Sequence, residues 1–169
     1  MASAGITRVL SAISNELTVA GIARRPGDDT DLSLIPLHIE PDDGPPSLGD
    51  RAGDPKAERE TAGDVVATIK RSSTAPTLPG EGNLRRFIVD IVYRSRTTRG
   101  LIAARALDDA IHERLVETAT YGDGILLDEG GDFQTFCLSI NSYSGMSDLG
   151  LDDDIRVEIS KLLVEVYND

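Results

Sequence analysis

Phe87-Ile-Val-Asp-Ile-Val-Tyr93 is followed by Arg94-Ser-Arg-Thr-Thr-Arg-Gly100 and then Leu101-Ile-Ala-Ala-Arg-Ala-Leu-Asp-Asp-Ala-Ile-His-Glu-Arg-Leu115. Phe87, Val89, Ile91 and Tyr93 alternate with Ile88, Asp90, Val92 and Arg94. Ala104, Leu107, Ile111 and Leu115 then recur at the spacing of one helical face. A period of 2 giving way to a period of 3.6 within a few residues marks a sheet strand that feeds a packed helix. The helix is expected over about Leu101 to Ala119, with Arg105, Asp109, Glu113 and Glu117 toward solvent and Tyr121-Gly-Asp-Gly as its stop.

Elements of the same kind lie on both sides of this stretch. Ile6, Val9, Leu10, Ile13, Leu17 and Ala20 form one helical stripe, with Ser11, Ser14, Asn15 and Thr18 off it. Ser3 serves as its N-cap, and Gly21 stands at the left-handed C-terminal position. Leu32 to Ile39 is apolar but interrupted by Pro36, so this strand lies at an edge or begins after the proline. Val65 to Lys70 predicts a strand joined to the Phe87 strand, through Thr74 to Asn83, as a long-looped hairpin. Ile125 to Leu127 pairs briefly before an Asp128-Glu-Gly-Gly-Asp turn. Phe133 to Tyr143 is a strand with Phe136, Leu138 and Ile140 on one face. Ile155 to Tyr167 is a strand whose phase shifts at Lys161-Leu-Leu163, which predicts a bulge there.

The expected fold is therefore α+β, one domain over residues 1–169. It has a mostly antiparallel four- to five-stranded sheet and two helices packed on one face. The opposite face, carrying Asp90, Val92, Gln134, Thr135, Ser139, Glu158 and Glu165, is expected to be wet or to meet another polypeptide. Residues 41–63 combine acid with many Pro and Gly and few large apolar side chains, which predicts a long flexible loop.

Composition narrows the function. The 169 residues are 40% apolar but only 4% aromatic, with no Trp, so aliphatic side chains build a modest core. No stretch approaches the roughly 18 apolar residues of a membrane span, and no secretory leader is apparent, so a soluble cytosolic product is expected. Net charge is −12 and unevenly placed. Residues 1–100 carry 14 acidic against 13 basic side chains, and residues 101–169 carry 15 against 4. Such acid repels phosphate backbones, and scarce aromatics remove base stacking, so specific nucleic-acid binding is disfavoured.

Chemistry-bearing motifs are sparse. Cys137 is the lone cysteine, with no cationic sequence neighbour to activate it, and is expected to pack. His38 and His112 are far apart. Asp123, Asp128, Glu129 and Asp132 lie among glycines but miss the spacing of a calcium loop, and a hairpin turn explains them better. Asp148, Asp152, Asp153 and Asp154 make a second acidic loop. No phosphate-binding loop, nucleophile elbow or Cys-x-x-Cys pair occurs, so neither an enzyme nor a cofactor or metal is expected. Arg94, Arg96 and Arg99 form the positive counterpart to this acid. An arginine cluster meeting the acidic surface of an identical neighbour would make a head-to-tail contact.

The strand ending Val92-Tyr-Arg-Ser-Arg-Thr-Thr-Arg-Gly100 and the helix after it resemble the tail terminator and minor capsid proteins that join head to tail in long-tailed bacteriophages. The resemblance is clearest over residues 85–169 and topological before that. It implies a virion protein of the tail-neck region, assembled in the host cytoplasm into a ring, usually a hexamer. The ring would cap the major tail tube protein and meet a head-completion or neck protein. It also implies that Arg96, Arg99 and Gly100 form the strand-to-helix corner. Arg94, Arg96, Arg99 and Gly100 are then expected at the subunit contact. Asp148, Asp152, Asp153 and Asp154 are expected to line a bore through which DNA passes without specific binding, and no membrane is involved. The 41–63 insert departs from the family pattern. A neck adaptor or another non-enzymatic module of the same fold is the alternative.

Overall fold

A computed structural model describes residues 6–28, 30–31, 33–40, 65–72, 84–121, 125–128, 135–152 and 155–168. Helix α1 spans Ile6–Val19, β1 Leu37–Ile39, β2 Val65–Arg71 and β3 Leu84–Ser95. Helix α2 spans Thr98–Tyr121, followed by β4 Ile125–Asp128, β5 Thr135–Asp152 and β6 Ile155–Asn168. The fold is α+β, with two helices among the described residues and a mixed sheet in the order β1-β2-β3-β6-β5-β4.

Alternation in β2 and β3 decides what each face of the sheet meets. Val65, Ala67 and Ile69 stand opposite Ser95, Tyr93 and Ile91 in the antiparallel β2–β3 register. Phe87, Val89 and Ile91 in turn oppose Val164, Leu162 and Ser160 of β6. The apolar side chains and Tyr93 in these pairs share one buried cluster with Val9, Leu10, Ile13 and Leu17 of α1 and Ala104, Leu107, Ile111 and Leu115 of α2. Both helices therefore cover one face, through the apolar stripes read from the sequence except at Ala20, which lies past the end of α1 and is exposed; the side chain of Ile6 lies outside the described residues. Helix α1 ends as expected. Gly21 is left-handed at φ 73°, its amide donates to Thr18 O at 3.1 Å, and Ile22 N donates to Leu17 O at 3.0 Å. That pair of bonds, with Ile22 beside Leu17, satisfies carbonyls the helix end would leave open.

Helix α1 touches β1, β2 and β4, although β1 and β4 are the opposite edges of the sheet. The sheet must curl around α1 to allow this. Three register shifts supply curvature, between Ile140 and Ser142, Ser144 and Ser147, and Asp148 and Gly150 of β5. Extra residues on one strand bend and twist a ladder locally.

Several expectations change. Among the described residues the sheet has six strands rather than four or five, because Ile125–Asp128 pairs fully with β5. The β1–β2 pair is parallel. Residues 40–64 are long enough to carry the crossover that a parallel pair needs, and sequence alone cannot choose between that and a hairpin. Strand β5 runs nine residues beyond Tyr143, through the stretch expected to be an acidic loop. The bulges lie in β5, whereas β6 pairs with β3 without a slip from Ser95↔Arg156 to Leu84↔Tyr167. The apparent phase shift in β6 comes from a large apolar Leu163 on the face away from the helices, next to buried Leu162. Pro36 does precede the strand, and β1 does lie at an edge.

The face away from the helices is also drier than expected. Asp90, Val92 and Glu165 are buried there, and Glu158 lies on the helix side instead, opposite Tyr93. Lys161 Nζ donates to Asp90 Oδ1 at 2.8 Å, and Arg86 Nε to Glu165 Oε1 at 3.2 Å. Ser14, expected off the α1 stripe, is buried and its hydroxyl accepts from Arg25 at 3.0 Å. Ser3, residues 41–63, Thr74 to Asn83, Asp123, Glu129, Asp132 and Gln134 lie outside the described residues. So do the side chains of Glu117, Asp128, Thr135, Phe136, Cys137, Leu138, Ser139 and Ile140. Among the described residues no helix is long and apolar enough to cross a membrane.

Candidate functional site

Strand β3 ends at Ser95, and two residues turn the chain into α2. Thr97 caps the helix: its hydroxyl accepts from Gly100 N at 3.0 Å and its carbonyl from Leu101 N at 3.0 Å. A threonine cap satisfies amides at a helix start, which is why α2 begins three residues earlier than its apolar stripe implies. The corner is thus Arg96-Thr97. Gly100 is buried within the first helical turn.

Arg94 and Arg96 are half-buried and Arg99 is exposed. Among the described residues no carboxylate lies within ion-pair distance of any of the three. Among the described residues the corner is therefore a patch of positive charge without a counter-charge, on a chain of net charge −12.

Asp148 occupies a strand, directly opposite Glu158 of β6. Its carboxylate accepts a hydrogen bond from the Arg156 guanidinium and another from Gly150 N at 2.8 Å. The arginine hydrogen bond first, and the glycine amide second, hold its pKa below the usual carboxylate value. The same bond raises Arg156. Asp148 is thus matched by a cation of its own chain and bridges the bulge at Gly150, whose φ is +90°. Asp152 closes β5 opposite Ile155, while its side chain and Asp153 and Asp154 lie outside the described residues. Leu149 and Leu151 stand beside this braced bulge, 61% and 72% exposed.

Sequence reasoning passed over one polar group on the helix face. Asp108 Oδ1 accepts from Tyr93 Oη at 2.7 Å and from Ser160 Oγ at 2.8 Å, and all three residues are buried. Nearby, Arg105 Nε lies 3.6 Å from Oε1 of buried Glu158. The signal was available, since Asp108 adjoins Leu107 and Ala104 on the apolar face, where an acid needs a partner. Its partners come from two distant strands, which no local pattern reveals. Sealed from solvent, this group fixes α2 on β3 and β6 and offers no approach to a substrate.

A cleft of about 550 Å³ opens on the other flank of α2. Ala103, Ala106, Leu107 and Ala110 form one wall, Ile22, Leu34 and Ile35 the other, and Arg99 stands at the rim. The second wall is held in place. Buried Arg24 donates from Nε to Leu34 O at 2.9 Å and from Nη1 to Asp28 O at 3.4 Å. Asp28 and Asp31 accept from the hydroxyl and amide of Thr30 and Ser33 respectively, which closes two tight turns and lowers both carboxyls below their usual pKa. The cleft is apolar within and cationic at one end. Among the described residues no group of three His, Cys, Asp or Glu side chains converges to hold a metal ion.

The chain matches no protein-family model and no curated protein.

Proposed function

We propose that this chain is a structural subunit that assembles head to tail into a ring of the tail-terminator type. In the virion it would cap the tail tube and meet a neck or head-completion protein. The observation that carries this reading is the arginine corner between β3 and α2, partly exposed and without an ion-pair partner among the described residues, on a two-layer subunit whose acid is concentrated in the C-terminal part. Unlike patches on one surface favour heterologous contacts, and such contacts close into rings when the rotation permits. The net charge of −12 suits a channel through which DNA slides, because carboxylates repel phosphates that arginine would retain.

Sedimentation velocity over a range of protein concentrations, with electron microscopy of the largest species, tests this. A closed ring of fixed copy number is the expected result. Arg96→Glu with Arg99→Glu should abolish it while leaving far-UV circular dichroism unchanged. A wild-type chain that stays monomeric at high concentration overturns the ring and leaves a monomeric adaptor as the better account.

A further inference from the structure

We infer that the end of the β5–β6 hairpin, carrying Leu149 and Leu151, docks into the α2 cleft of a second copy of this chain. This rests on the ring proposed above and names the contact that builds it.

Helical spacing separates the two surfaces. Arg99, Ala103, Ala106 and Ala110 recur at three or four residues and share one flank of α2, the cleft side. Arg105 falls on the opposite flank, where it faces Glu158 of β6 and, through that strand, the Asp148 end of β5. The hairpin end and the cleft thus lie on opposite sides of one helix. A chain cannot fill its own cleft with its own hairpin. A neighbour can, and the contact repeats in one direction.

The two surfaces also match in chemistry. Leu149 and Leu151 are two of the four large apolar side chains most exposed among the described residues. In sequence they alternate with Asp148 and Gly150 and lead directly into Asp152-Asp-Asp154. The cleft offers an apolar interior with Arg99 at its rim, and exposed Ile102 stands one step round the helix from Ala106. Apolar anchors seat in an apolar groove, and the adjoining carboxylates meet a guanidinium that has no partner among the described residues. Both sides are prepared for this. Arg156 and Gly150 N hold the bulge through Asp148, and Arg24 holds the far cleft wall. Surfaces ordered before they meet lose less entropy on association.

Two variants test this by mixing. Leu149→Asp with Leu151→Asp breaks the hairpin side, and Ala106→Arg, at an exposed position, obstructs the cleft side. Each alone should lose self-association by roughly 30-fold or more, read by sedimentation velocity against wild type. An equimolar mixture should form a 1:1 dimer and nothing larger, since one intact hairpin meets one intact cleft. That dimer also shows that both variants are folded. Wild-type mass in either variant alone, or no dimer in the mixture, overturns the contact while an assembling wild type leaves the ring standing. A wild type that is monomeric throughout removes the ring and the contact together.

Discussion

The two faces of the β3–β6 pair solve the same problem differently. On the helix side Phe87, Val89 and Ile91 meet Val164, Leu162 and Ser160, and Tyr93, Asp108 and Ser160 are sealed into one hydrogen-bonded group beside buried Glu158. On the other side Asp90 and Glu165 are buried but are answered by Lys161 and Arg86, whose side chains remain 39% and 42% exposed. The first face is stabilised mainly by area removed from water, with one shared acceptor for two of its buried hydroxyls, although Oε1 of buried Glu158 accepts no hydrogen bond among the described residues and has the Arg105 charge 3.6 Å away. The second relies on long cationic side chains that lie along the sheet and keep their charged ends near solvent. Damage should therefore be costly on one face and mild on the other.

The largest effect is expected from Leu162→Ala, at a fully buried position in the centre of β6. It should cost about 3 kcal/mol, seen as a lower urea midpoint with an unchanged slope. Asp108→Ala should follow at about 2 kcal/mol, because it removes the acceptor that two buried hydroxyls share. Adding Tyr93→Phe to it should cost less than Tyr93→Phe does alone, since the hydroxyl has already lost that acceptor. On the opposite face Lys161→Met should cost about 1 to 2 kcal/mol by leaving Asp90 short of a cation, and Arg86→Met about 0.5 kcal/mol. A Lys161→Met loss larger than that of Leu162→Ala would break the comparison.

The smallest effect concerns acid. Asp148 has a folded pKa below its unfolded value of 3.8, so its contribution is fully present above that value and is lost as pH falls through the lower folded one. Asp148→Asn should therefore lose stability relative to wild type near neutrality, with the gap closing in acid. Paired urea titrations at about pH 6 and about pH 2 measure it.

Local patterns carried much of this architecture and none of its polar wiring. The stripes of α1 and α2, the glycine at the α1 end, the strand after Pro36 and the alternation of β3 are all short-range features that one element expresses by itself. Ser144 to Asp152 was misjudged because glycine, serine and aspartate favour turns in isolation. In place, β6 pairs along this segment and two bulges within it absorb its extra residues. The direction of β1 depends on a crossover, and the Asp108 group on strands separated by tens of residues. For the candidate contact, Arg99 and Asp148 were legible as charges. The cleft was not, because its two walls come from residues 21–35 and 99–110.

The outer edge of β1 is stapled. Arg24 N donates to Ile35 O at 3.1 Å and Leu37 N to Arg24 O at 2.8 Å, and Pro36 between them has no amide hydrogen. A bare strand edge is a template on which further strands accrete without limit. Here that template is three residues long and already capped by the chain's own Arg24 segment. New copies find no ladder to extend on this side, which guards against fibrous aggregates. On this side, whatever joins such molecules must do so through side chains, which can specify where growth stops.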